Sequence, residues 1–85
     1  MSREAILETV MHVITCGFFE LGCFEEWVYA NGNYVRVIVD SDERTIVAEN
    51  DDKVKYTMHY CGAWTDMHKL MAFIYECLEM EDWHK

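Results

Sequence analysis

Asn31-Gly32 stands between two stretches whose apolar residues recur at alternate positions, Trp27-Val28-Tyr29-Ala30 before it and Tyr34-Val35-Arg36-Val37-Ile38-Val39 after it. An Asn-Gly pair accepts positive φ at both central positions of a two-residue hairpin, so this part of the chain is committed to antiparallel β structure. Asp40-Ser41-Asp42-Glu43 predicts a second turn, into Arg44-Thr45-Ile46-Val47-Ala48. Glu49-Asn50-Asp51-Asp52-Lys53 predicts a third, into Val54-Lys55-Tyr56-Thr57-Met58-His59-Tyr60. Three or four antiparallel strands follow.

On either side the period lengthens to that of a helix. Ser2 offers an N-cap, and Ile6, Val10, Val13, Ile14, Gly17 and Leu21 share one helical face, which predicts a helix over about residues 3 to 20. Leu7, Met11 and Phe18 widen that face, while Glu4, Glu8, His12, Cys16 and Phe19 fall opposite it or on its flanks. Cys23-Phe24-Glu25-Glu26-Trp27 fits either a last helical turn or an entry strand. Thr65 and Asp66 offer a cap and a first-turn acid for a second helix reaching about Trp83, with Met67, Leu70, Met71, Ile74, Cys77 and Leu78 on its core face. The chain reads as a single α+β domain over residues 1–85, order α-β-β-β(-β)-α, an antiparallel meander with both helices on one face. Its length allows one small core, and the absence of proline and of low-complexity tracts leaves no linker to mark.

Alternation splits the strands into two sets. Val35, Val37, Val39, Ile46, Ala48, Val54, Tyr56, Met58 and Tyr60 are the expected core beneath the helices. Tyr34, Arg36, Ile38, Asp40, Thr45, Val47, Lys55, Thr57, His59 and Cys61 are the expected open face. With Trp27 and Tyr29 that face is more apolar than solvation alone asks for, and it fits either a self-association surface or cross-strand pairs that stabilise a small sheet.

Composition then bears on function. Sixteen Asp and Glu face seven Lys and Arg, a net charge of −9, in a chain that is 52% apolar and 14% aromatic. A disordered acidic tail lacks such rings, so the charge belongs to a folded surface. That surface repels phosphates and excludes direct nucleic-acid binding, leaving a cationic protein as the expected partner. The start of the chain lacks a basic segment followed by an apolar core, and no 18-residue apolar stretch occurs. The expected location is the cytoplasm, with no membrane contact, and there the four cysteines stay thiols.

The acids gather in three places: Asp40, Asp42 and Glu43; Glu49, Asp51 and Asp52; and Glu76, Glu79, Glu81 and Asp82. A second helix returning along the last strand would bring the third group beside the second. Acids in a last helical turn oppose the macrodipole, and Glu76, Glu79 and Asp82 recur every third residue, which lines carboxylates along one flank as phosphates line a strand.

Other chemistry is thin. His12 with Cys16, and His59 with Cys61, have the spacing of paired metal ligands, but the two pairs point to opposite sides of the fold, and neither metal nor cofactor is expected. Asp40 and Asp42 begin like a calcium loop that then lacks its glycine at the sixth position. Ser2 and Ser41 lie in no nucleophile motif and no glycine-rich phosphate loop occurs, so an enzyme is not expected.

The α-β-β-β-α order resembles the double-stranded RNA-binding domain over residues 3 to 83, in topology alone. That family grips phosphates with lysines at the start of its second helix, where this chain has Asp66-Met67-His68-Lys69, so the resemblance does not carry RNA binding with it. In size and charge the chain resembles the acidic inhibitors of bacteriophages and mobile elements, anti-CRISPR proteins and DNA mimics among them. The resemblance implies an inhibitor that occludes a basic, nucleic-acid-binding surface of another protein. Its expected contacts are the rings Trp27, Tyr29, Tyr34, Trp64 and Trp83 and the acids Glu49, Asp51, Asp52, Glu76, Glu79 and Asp82. The alternatives are a homo-oligomer, such as a homodimer, built on the open sheet face, and a metal-dependent regulator using His59, Cys61 and His68.

Overall fold

The computed structural model describes residues 1–59 and 67–81. Helix α1 (Arg3–Phe19) begins where the Ser2 hydroxyl accepts a 3.1 Å hydrogen bond from the Ala5 amide. Four antiparallel strands follow: β1 (Cys23–Ala30), β2 (Asn33–Asp40), β3 (Thr45–Asn50) and β4 (Lys55–His59); helix α2 (Met67–Cys77) comes last. The sheet is an open meander in sequence order, and both helices lie against the same side of it, α1 over β1 and β2 and α2 over β2 and β3.

The Asn31-Gly32 hairpin forms with φ of 54° and 77°, the doubly positive geometry of a type I′ turn. Cys23 to Trp27 resolve as strand, not helix, because Glu20 caps α1 in extended backbone. Ile6, Val10, Val13 and Ile14 of α1 meet Val28, Val35, Val37, Val39, Ile46 and Ala48 of the sheet and Leu70, Met71, Ile74 and Leu78 at α2 in one core. Tyr75 joins them with its ring beneath the Arg3 guanidinium, 4.9 Å away.

The structure corrects several expectations. Leu21, placed on the helical face by its spacing, lies beyond the α1 cap and is 88% exposed. Val54, expected in the core, sits in the third loop and is 53% exposed, because β4 starts one residue later. Glu49, assigned to the third turn, is a residue of β3 on the open face, opposite both Arg36 and Lys55. Helix α2 ends at Cys77 and does not reach Trp83. There Glu79 turns left-handed at φ 55°, while the Met80 amide donates to Tyr75 O and the Glu79 amide to Glu76 O, a Schellman closure built without glycine. The every-third line of carboxylates is therefore broken after Glu76. Trp64 and Tyr60, Cys61, Asp82 and Trp83 lie outside the described residues.

Candidate interaction surfaces

Two asparagines build one end of the molecule. Asn31, in the first hairpin, donates from Nδ2 to the carbonyls of Leu78 at 2.9 Å and Glu79 at 3.0 Å, so a residue chosen for its turn also caps the end of α2. Asn50 closes the third loop: its Oδ1 accepts from the amides of Asp52 and Val54, each at 2.9 Å, and its Nδ2 meets Cys77 Sγ at 3.6 Å. Asn31 thus ties the end of α2 to the first hairpin, and Asn50 ties it to the third loop. Burial pushes the Cys77 thiol above its ordinary range; the contact with Asn50 works against that shift, and the carboxylates of Glu76 and Asp51 add to it. One helical acid and one loop acid thus act on the same sulfur.

Asp51, Asp52, Glu76, Glu79 and Glu81 are all exposed at this end. Among the described residues the cations there include Lys53 in the loop and, from α1, Arg3, whose Nη1 reaches Glu81 O at 3.4 Å; the Met1 ammonium donates to Tyr29 O at 3.0 Å. Of the acids in this group only Glu76 stands in the last turn of α2, while Glu79 and Glu81 follow the helix end. Signals for the two positioning asparagines were local in the sequence, as turn formers; their second role spans 47 residues for Asn31 to Leu78 and 27 for Asn50 to Cys77.

The opposite end is organised differently. Asp40 Oδ1 accepts from the amides of Asp42 at 3.0 Å and Glu43 at 3.1 Å, and Ser41 Oγ both donates to Gly22 O and accepts from its amide. Beside it, a cleft of about 260 Å³ is bordered by Phe19, Leu21, Ser41 and Arg44, with Phe19 exposed at 84%. The Ser41 hydroxyl is already engaged there with Gly22, and Glu20 and Arg44 are the charged residues on the cleft's border.

The open face of the sheet is the second surface. The register sets its residues in rows from β1 to β4: Cys23, Asp40, Thr45, His59; then Glu25, Ile38, Val47, Thr57; then Trp27, Arg36, Glu49, Lys55. Tyr29 and Tyr34 pair at the hairpin end. Trp27 and Tyr34 meet with ring centroids 5.1 Å apart, and the Arg36 guanidinium lies 5.8 Å from the Trp27 ring. Arg36 Nε is 3.3 Å from Glu25 Oε2, an ion pair whose angle makes no hydrogen bond, so the buried Nε donor has no acceptor. Lys55 pairs with Glu49 at 3.5 Å. Tyr29 is 52% exposed and Trp27 36%, while Tyr34, Ile38 and Val47 are half-buried.

The expected contact residues therefore divide. Asp51, Asp52, Glu76 and Glu79 share the α2 end, whereas Trp27, Tyr34 and Glu49 lie on the sheet face, with Tyr29 beside the hairpin that joins the two surfaces. His12 Nε2 and Cys16 Sγ meet at 3.8 Å on α1, yet no third ligand joins them among the described residues. His59 stands on the open face of β4 and His68 on α2. Cys16, Cys23 and Cys77 are free thiols. Among the described residues no helix is long and apolar enough to cross a membrane. Comparison with protein families, curated proteins and solved structures finds no match to this chain.

Proposed function

We propose that the chain is a small acidic inhibitor or regulator, acting in the cytoplasm without enzymatic activity, that docks its α2 end on a basic, nucleic-acid-binding surface of another protein. The observation that carries this reading is the pairing of the third loop with the end of α2 through Asn50 and Cys77, which gathers the exposed carboxylates of Asp51, Asp52, Glu76 and Glu79 at one place. In a partner's groove these carboxylates take the positions of phosphates, and long-range attraction raises the association rate. Tyr29, exposed next to the hairpin, supplies an aromatic anchor at the rim of the same end.

The test is capture of basic nucleic-acid-handling proteins from a native lysate, followed by elution with duplex DNA. Retention that falls as salt rises, is displaced by DNA and drops about tenfold or more in association rate for Asp51→Lys/Asp52→Lys/Glu79→Lys supports the reading. Retention indifferent to DNA and to charge reversal removes it.

A further inference from the structure

The three rows on the open face are self-complementary about one particular axis. If a second copy is rotated by a half turn about a line parallel to the strands, midway between β2 and β3 and above the face, its β3 lies over β2 and its β4 over β1. Each row then meets itself reversed. Arg36 faces Glu49 of the second copy and Glu49 faces its Arg36; Trp27 faces Lys55; Ile38 faces Val47 at the centre; Glu25 faces the Thr57 hydroxyl; Asp40 faces that of Thr45. Opposite charges, a cation on a ring, an apolar centre and hydroxyl donors on carboxylates all result from that one operation. The other face-to-face operation, about a line across the strands, sets Arg36 on Asp40 but also Glu25 on Glu25, and leaves Glu49 on Thr45 and Lys55 on His59 without an opposite charge.

We infer that the occupant of the open face is a second copy of this chain, packed sheet on sheet about the strand-parallel two-fold. Aligned sheets pack about 10 Å apart with a small rotation from their twist, a gap that Arg and Glu side chains span from the two sides. The inference goes beyond the proposed partner docking and does not depend on it. It has a geometric consequence for that docking: because the axis runs along the strands, the two α2 ends of the dimer point the same way, each on the outer side of its own sheet.

The footprint sets the strength. Four strands about 4.8 Å apart and about 3.4 Å per residue over the 6 residues of β3 cover on the order of 400 Å² per copy. Two such footprints total about 800 Å², below the roughly 1,200 Å² where stable interfaces begin, so the dimer forms at high protein concentration and dissociates on dilution. Each copy carries a net charge of −9, and this long-range repulsion is screened by salt while the covered pairs are screened less. Dimerisation therefore strengthens as salt rises from low ionic strength, opposite to binding of a basic partner.

Sedimentation of the whole chain over a concentration series, at low and at moderate salt, tests this. The expected result is a monomer–dimer equilibrium shifted toward dimer by salt. Arg36→Glu and Glu49→Arg, singly, each set like charges across the axis and should abolish the dimer, and mixing the two single variants should restore association as a heterodimer, because each altered side chain then faces the opposite charge on the other variant. Thermal melts of the dilute variants report that each still folds. A wild-type chain that stays monomeric at the highest concentrations in both salts overturns the proposal without recourse to any variant. So does a dimer that survives either single change, or a mixture of the two single variants that fails to associate.

Discussion

The two ends of the sheet both carry acids and use them in opposite ways. At the β2–β3 turn a carboxylate does the structural work, since Asp40 accepts the amides of Asp42 and Glu43 and thereby holds its own turn. At the other end the same work falls to neutral amides, Asn31 on the end of α2 and Asn50 in the third loop. Asp51 and Asp52 keep their carboxylates in solvent as a result. Acids clustered in a sequence therefore need not do the same work. What distinguishes the ends is which side chain closes the backbone, the carboxylate of Asp40 at one and the amides of Asn31 and Asn50 at the other.

The sharpest way to break this contrast is at Asn31. Asn31→Ala removes both carbonyl contacts to α2 and places a Cβ-bearing residue without a local amide at φ 54°, for an expected loss of about 2–4 kcal/mol. Asn31→Gly keeps the turn and loses only the cap, for about 1–2 kcal/mol. Denaturant unfolding of the pair separates turn from cap. An Asn31→Gly variant as stable as the parent would mean that the amide does not hold the end of α2, and the α2 end would then owe its shape to packing alone.

A smaller effect tests the carboxylates themselves. Asp40→Ala should destabilise by about 1 kcal/mol through loss of two amide acceptors, while Asp40→Asn, which keeps an acceptor oxygen, should lose less. Asp51→Asn and Asp52→Asn should change stability by no more than about 0.5 kcal/mol, and in the favourable direction, since they relieve repulsion in a chain of net charge −9. Thermal unfolding of the four variants checks the order. Losses at Asp51 or Asp52 as large as at Asp40 would place those side chains in the loop's own scaffold and erase the difference between the ends.

Much of this framework was legible in the residues. The Asn-Gly pair, the alternation on β2 and β3 and the Ser2 cap are local signals, and local signals locate hairpins, strands and helix starts. The boundaries that moved did so for reasons of tertiary contact. Glu49 reads as turn beside Asn50, Asp51 and Asp52, but a glutamate on an open face between Arg36 and Lys55 extends the ladder by pairing. The stop of α2 had no glycine to announce it; Leu78 follows the helical spacing into the core, and the chain turns at Glu79 where Asn31 takes the carbonyls. Leu21 continues the apolar period of α1 after the backbone has already become extended at Glu20. The meeting of the third loop with α2 was expected from strand and helix lengths, whereas the amides that hold them together are contacts over tens of residues, for which one sequence carries no local sign.

The weakest expected effect, and the one most specific to the α2 end, belongs to Cys77. Its thiol is raised from an ordinary value of 9.0, first by burial and further by Glu76 and Asp51, so the folded state favours the neutral form. A group with a folded value above its unfolded one contributes stability that is complete below about pH 9 and disappears as pH climbs through the folded value. The melting temperature should therefore decline on the alkaline side beyond that point, and Cys77→Ala should flatten this part of the decline. In alkylation mapped by mass spectrometry, Cys77 should react more slowly than the exposed Cys23. Asp51→Asn with Glu76→Gln should bring the Cys77 reaction rate toward that of Cys23, since both carboxylates disfavour the thiolate. The corresponding neutralisations at the far end, Asp42→Asn with Glu43→Gln, should leave that rate where it was. A Cys77 rate that responds alike to both pairs would show that it senses only the overall charge, and the meeting of loop and helix at its sulfur would lose its electrostatic meaning.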